Sequence, residues 1–275
     1  MLGLIQEARL GTPGGRVTRR AALASAVAVG LGIVAAPRAV AASFALAGEQ
    51  ERAGRQATYR VLALTKTEQY RHDSIPDAVA ALKALGGEHG FEVDHTEDGA
   101  IFGDAGLAPY RAVAFLLTTG DILDAEQQAA FERYIRAGGG YVGIHSACDT
   151  EYAWPWYGQL VGAYFSRHPE IQTATVWVED RSHRSTAGLP ERWERTDEWY
   201  DFQTNPRAEV NVLARLDEGT YTGGGMGADH PIAWWHDVDG GRAWYTAGGH
   251  TKESYREPLF LQHLLGGIQY AADVG

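Results

Sequence analysis

Ala112-Val-Ala-Phe-Leu-Leu117, the segment Glu126 to Ala137, and Tyr141-Val-Gly-Ile144 follow one another with short joints between them. The two apolar runs are of strand length and do not alternate, which marks strands buried on both faces. The segment between them is rich in helix formers and carries Phe131, Tyr134 and Ile135 on one side. Asp124 stands where a helix cap is needed, and Gly138-Gly-Gly140 ends the helix. The unit therefore reads strand, helix, strand. The same pattern precedes it. Thr58 to Thr65 is an apolar strand, Ser74 caps a helix with Pro76 in its first turn, and Ala78, Val79, Leu82 and Leu85 face inward. Gly86, Gly87 and Gly90 punctuate the exit, and Phe91 to His95 alternates as a short strand. Two such units predict an α/β fold with a doubly wound, mainly parallel sheet.

The C-terminal half is β-rich. Thr173 to Val178 reads as an edge or antiparallel strand, with further strands at Val210 to Leu216, Ile232 to Trp235 and Arg242 to Ala247. Pro258 to Ala272 reads as a closing helix with Leu261, Leu264, Leu265 and Ile268 inward.

The N-terminus reads as an address. Thr18-Arg-Arg-Ala-Ala-Leu23 has the form of a twin-arginine motif, and an apolar run rich in Ala and Gly follows to Ala36. Ala39-Val-Ala41 offers a small-x-small cleavage site, so residues 1–41 are expected to be a twin-arginine signal peptide. An uncleaved anchor is the alternative. Residues 42–57 read as a polar linker, and 58–275 as one domain. The expected location is periplasmic or extracellular. Loss of five arginines and one glutamate with the signal would move the formal charge from −11 to −15. Such acidity argues against nucleic acid or an anionic membrane surface as partner. The single cysteine, Cys148, forms no internal disulfide, so the core must hold the fold unaided.

In open α/β sheets, ligands bind beyond the carboxyl ends of the strands. The residues that follow the predicted strands are Thr65-Lys-Thr67 with Tyr70-Arg-His-Asp-Ser74, Thr118-Thr-Gly-Asp121, His145-Ser-Ala-Cys-Asp149, and Gly248-Gly-His-Thr251. Four polar strand ends, three with a histidine, point to one pocket. His72, His145, His168, His230 and His250 sit in turns; His89, His95, His183, His236 and His263 read as surface or helix-face residues. No tight metal spacing joins the first group, but loops can assemble a divalent site, such as zinc, from His72, His145, His168 and His250. Thr196-Asp-Glu-Trp-Tyr-Asp201 concentrates carboxylates and aromatics, which accept from sugar hydroxyls and stack on sugar rings. Trp177, Trp234 and Trp244 read as core instead. Thr220-Tyr-Thr-Gly-Gly-Gly-Met-Gly227 lacks a following Lys and opens no helix, so it reads as a flap and not a phosphate cradle.

Taken together, Thr65-Lys-Thr67, Tyr70 to Ser74, Phe115-Leu-Leu-Thr-Thr-Gly120, Gly139 to His145, Thr196 to Tyr200, Asp229-His-Pro-Ile232 and Gly248-Gly-His250 resemble the ThuA-like (trehalose utilisation) family over Tyr59 to Ala272. The resemblance implies a flavodoxin-like fold of the class I glutamine amidotransferase-like kind, and a link to sugar catabolism. Where those relatives carry a nucleophilic cysteine after the central strand, this chain has His145, with Cys148 three residues on. An imidazole forms no acyl-thiolate, so glutamine amidotransferase activity is not expected. The expectation is an exported protein that acts on a glycoside, disaccharide or keto-sugar by acid/base isomerisation, elimination or hydrolysis. His145, His250, Asp197 and Glu198 would be catalytic. Lys66, His72, Thr118, Thr119, Asp149, His168, Trp199, Tyr200 and His230 would bind the sugar. A non-catalytic carbohydrate-binding module and a metal-dependent hydrolase stay open, as does a homo-oligomer.

Overall fold

In the computed structural model, residues 58–274 are described; the expected signal peptide over 1–41 and linker over 42–57 lie outside the described residues. The elements run β1 (Tyr59–Leu64), α1 (Ile75–His89), β2 (Phe91–Thr96), α2 (Asp104–Leu107), β3 (Ala112–Leu116), α3 (Ala125–Arg136), β4 (Gly140–Ile144), α4 (Pro155–Val161), β5 (Phe165–Arg167), β6 (Gln172–Val178), β7 (Arg192–Asp197), β8 (Asp201–Phe202), β9 (Asn211–Leu216), β10 (His230–Val238), β11 (Gly241–Thr246) and α5 (Pro258–Ala271). Among the described residues no helix is long and apolar enough to cross a membrane.

One sheet has the order β2-β1-β3-β4-β11-β10-β9-β6-β7. Its first five strands are parallel, and their order is the flavodoxin-like 2-1-3-4-5 with β11 as the fifth. The remaining four extend it in antiparallel fashion. The predicted α/β architecture and its β-rich second half are therefore observed. Thr173 to Val178 is antiparallel, but β6 lies between β9 and β7 and is not an edge strand.

Both faces of the parallel sheet are covered, which is why β3 and β4 are buried at every position. Neighbouring strand residues point to opposite faces. Trp244 packs under α5, where a Cβ on Gly267 would come within 2.4 Å of its ring. Tyr245 points the other way, towards the face where Phe115 and Tyr141 stack against Phe131 of α3 and Tyr157 of α4, with centroids 5.3 to 5.9 Å apart. Helix α3 starts with a full capping box from Asp124 and Gln127. At α1 the cap is different: Ser74 precedes the helix but makes no side-chain cap bond, and its Oγ is buried without a partner. In α5 the inward face is Phe260, His263, Leu264, Ile268 and Ala271, whereas Leu261 and Leu265 are half-buried, one position off the expected stripe.

Candidate functional site

The parallel strands end in turns that their neighbours over-determine. Leu117 after β3 has φ 57° and His145 after β4 has φ 53°, both left-handed conformations that residues other than glycine seldom adopt. His145 then opens a short 3₁₀ turn to Asp149. Its imidazole is fully buried, and the carbonyl of Ala247 accepts from Nδ1 at 2.7 Å. That bond leaves Nε2 turned towards His250 Nδ1 at 3.2 Å and Glu198 Oε2 at 3.4 Å. Glu198 Oε2 is also 3.0 Å from His250 Nδ1, and its other oxygen meets His168 Nδ1 at 3.1 Å. His72 closes the group, with ring centroids 4.9 Å from His145 and 5.0 Å from His250. One ligand atom each from His72, His145, Glu198 and His250 lie within 4.8 Å of one another.

The charges suit this crowding. Burial pushes the His72 imidazole down to about 2, and His145 and His250 push in the same direction. Burial works against the charged form of Glu198, but hydrogen bonds from His145 and His250 outweigh it and hold the carboxyl well below its usual range. Burial likewise opposes a charged His250, yet the hydrogen bond to Glu198 raises it.

Asp197 sets the position of His250. Gly249 has φ 114° and a Cβ there would meet the Tyr255 hydroxyl at 2.7 Å, so only glycine serves. This turn presents the Gly249 and His250 amides to the Asp197 carboxylate at 2.8 and 3.0 Å. Ser254 Oγ donates to it as well, and Arg195 pairs with it at 3.3 Å while also holding Glu257. The far edge strand β7 is thus bound to the loop after β11, which brings Glu198 to the histidines. A cavity of about 340 Å³ opens above the cluster, lined by Tyr70, His72, Asp149, Phe165, His168, Glu198, Tyr200 and His250. A larger cleft of about 580 Å³ lies against α4 and β10, and neither cluster of metal-capable side chains among the described residues opens into it.

The family model for trehalose utilisation, ThuA, matches residues 60–271. The chain belongs to the ThuA family. A ThuA-like protein from Bacteroides uniformis is 23% identical, with a TM-score of 0.67 over 79% of this chain and 93% of that one. Another, from Parabacteroides merdae, is 21% identical, with a TM-score of 0.64 over 78% and 90%. A β-galactosidase from Bacillus circulans sp. alkalophilus shares the fold at 13% identity and a TM-score of 0.51, over 86% of this chain and 35% of its own. No curated protein sequence matches.

This ThuA chain gathers His72, Asp149, His168, Glu198, Tyr200 and His250 around one cavity, with His145 beneath them. His168 touches Glu198 but stands outside the four-residue cluster and is exposed at the mouth. Other expected site residues go elsewhere. Asp197 is fully buried and saturated by its donors, so it cannot meet a substrate. Trp199 is fully buried, with Nε1 donating to the Gln172 carbonyl, and offers no face to a sugar. Thr118 and Thr119 are fully buried and tie loops together through Thr150 and the Tyr70 carbonyl. Lys66 reaches the Ile122 carbonyl instead of the pocket. His230 is buried under the glycine-rich segment, where Nε2 donates to the Tyr200 carbonyl and Nδ1 meets Glu218 at 2.8 Å. Of the histidines expected at surfaces or on helix faces, His263 lies on the inward face of α5 and His236 is buried in β10. Tyr70 and Phe165 line the cavity and were not assigned from sequence, although Tyr70 stands two residues before His72 in the same strand-end segment.

Proposed function

We propose that this ThuA protein is an exported, divalent-metal-dependent protein of carbohydrate metabolism that acts on a glycoside, disaccharide or keto-sugar by acid/base chemistry. The observation that carries the reading is the convergence of His72, His145, Glu198 and His250 below a small cavity. The donor set fits a borderline ion such as zinc: imidazoles, of which burial keeps that of His72 neutral, an ionised Glu198 carboxylate, and a second bond orienting the His145 ring. The separations of 3.0, 3.2 and 3.4 Å among Glu198, His250 and His145 match those of ligands about 2.0–2.2 Å from a shared centre. When bound, such an ion would polarise a substrate carbonyl or glycosidic oxygen as a Lewis acid.

The protein's own part is orientation and exclusion of water. The cavity's size falls near the lower end of ligand-sized clefts, ~300–1,000 Å³, which suits one sugar unit. Tyr70, Phe165 and Tyr200 supply aromatic faces for the C–H side of the ring, and Asp149 and His168 supply polar groups for hydroxyls. His145 takes the strained position after the central strand without being a covalent nucleophile. Burial pushes the thiol of nearby Cys148 far above its usual range, so it supplies none either. The twin arginines at Arg19 and Arg20 support export, and sugars are then the accessible small molecules.

Elemental analysis of mature protein purified without chelator tests the site. About one zinc-class ion per chain is expected, lost in His145→Ala and Glu198→Gln along with turnover of trehalose or its monoketo derivative. Wild-type protein without the ion overturns the metal reading. Sugar binding with no turnover would instead identify a carbohydrate-binding module. Export is tested by fractionation: the chain should reach the periplasm, and Arg19→Lys with Arg20→Lys should retain it inside. Equal export of that variant rules out the twin-arginine route.

A further inference from the structure

Three carboxylates approach the cavity, and their partners divide their roles. Asp197 is saturated by amides, a hydroxyl and Arg195. Glu198 spends both oxygens on His145, His250 and His168. Asp149 differs. It lines the cavity, joins no ion pair among the described residues, and uses only Oδ1, which accepts from the Tyr152 hydroxyl at 2.6 Å. The same hydroxyl reaches the Phe165 carbonyl at 3.2 Å, and the Tyr152 ring stacks on Tyr164 at 4.9 Å, so the phenol is held in place. From the main chain, the Asp149 carbonyl accepts from Gly120 at 2.9 Å, which ties this turn to the end of β3. The second carboxylate oxygen is left for a ligand.

We infer that, for the keto-sugar member of the proposed substrates, Asp149 is the acid/base catalyst of this site and Tyr152 is its positioning residue. This rests on the reading that the cluster beside it binds an ion and orients a sugar. A carbonyl held over the histidine–glutamate cluster makes its neighbouring C–H acidic. That C–H bond breaks, the proton passes to the free oxygen of Asp149, and the electron pair moves onto the carbonyl oxygen. Return of the proton to the same carbon restores the ketone; where that carbon bears a hydroxyl, the hydroxyl proton passes to the former carbonyl oxygen, Asp149 returns its proton to the former carbonyl carbon, and the carbonyl has moved by one carbon. No oxidant or further reactant enters. Burial raises the Asp149 carboxyl above its ordinary range, with the Tyr152 hydrogen bond and the nearby His145 opposing it, and a stronger base results.

The test is deuterium wash-in. The mature wild-type protein, with its ion content measured, is incubated in D₂O with a monoketo derivative of trehalose, and exchange beside the carbonyl is followed by NMR. Exchange in wild type and a loss of about 100-fold or more in Asp149→Asn at saturating sugar are expected, with ion content unchanged. Asp149→Glu should recover part of the rate. Tyr152→Phe should lower the rate several-fold and shift the pH profile without changing ion content. If wild type binds the ion but exchanges no deuterium, or if Asp149→Asn exchanges at the wild-type rate, Asp149 is not the base. Absence of the ion in wild type would instead remove the underlying reading, so the two failures are separable.

Discussion

Asp197 illustrates how a residue beside chemistry serves it without touching a ligand. Its carboxylate collects the Gly249 and His250 amides, the Ser254 hydroxyl and the Arg195 guanidinium, all away from water. Arg195 is itself sandwiched, 4.2 Å above the Phe260 ring and 4.7 Å from that of Trp193. In Asp197→Asn, an amide NH₂ would face donors, and Arg195 would lose one of its two carboxylates. Breaking one side of a buried, hydrogen-bonded pair costs about 3–5 kcal/mol. Urea denaturation should therefore show a loss of about that size. Ion affinity should fall with it, because the His250 backbone is no longer held. A variant as stable as wild type would mean that the turn after β11 holds its shape by the glycines alone. Glu198, one residue on, has the opposite character, and nothing in Thr196-Asp-Glu-Trp-Tyr200 told the two carboxylates apart. Only the direction in which β7 presents alternate residues does that.

At the scale of elements, legibility followed the burial pattern. Strands β1, β3 and β4 were readable because both faces are covered and the runs are continuously apolar. Strand β7 was not. It alternates in burial, but its inward residues are Trp193, Arg195 and Asp197, two of them charged, so hydrophobic periodicity is silent. The same disguise hid the site's wiring, since β7 ends on Asp197 and hands the chain directly to Glu198. Helix α4 has no sequence signature, because it is seven residues long and begins at Pro155 in an aromatic stretch that reads as loop. In helix α5 Leu264 and Ile268 face inward as expected, but the buried stripe is centred to one side of Leu261 and Leu265. Gly266 and Gly267 explain the offset: Cβ atoms there would meet the Ser185 backbone and the Trp244 ring, each at 2.4 Å. The helix docks through these two residues, which a count of leucines cannot show. The strand-end histidines were legible as a group because the fold rule places strand ends together. Which of them meet was not, because His168 and His230 read as turn residues of similar composition, yet His168 follows β5 at the cavity mouth and His230 opens β10 on another support.

For the whole molecule, burial of histidine couples the fold to acidity. His263 sits fully buried between the sheet and α5, with Nδ1 donating to the Ser185 carbonyl at 2.9 Å and Nε2 near the Thr246 hydroxyl at 3.2 Å. Burial pushes it down to about 3, and Arg195 adds to the effect. His183 is pushed down to about 4 and His236 is lowered too, again chiefly by burial. None of the three belongs to the ion cluster. The unfolded chain binds protons on these rings below pH ~6.5, where the folded protein refuses them. Stability contributed by their neutral forms is therefore complete above that value and is lost as the pH falls from there towards 4 and then 3. A fully buried imidazole contributes at most about 1.4 kcal/mol per pH unit within that window. Denaturation midpoints measured from pH 7.5 down to 4.5 should fall steadily, and His263→Gln, which titrates in neither state, should show a shallower fall despite being less stable at pH 7.5. Parallel slopes for the two proteins would show that protonation of His263 is not what destabilises the fold in acid, and would shift the acid sensitivity to the other buried rings or to the carboxylates.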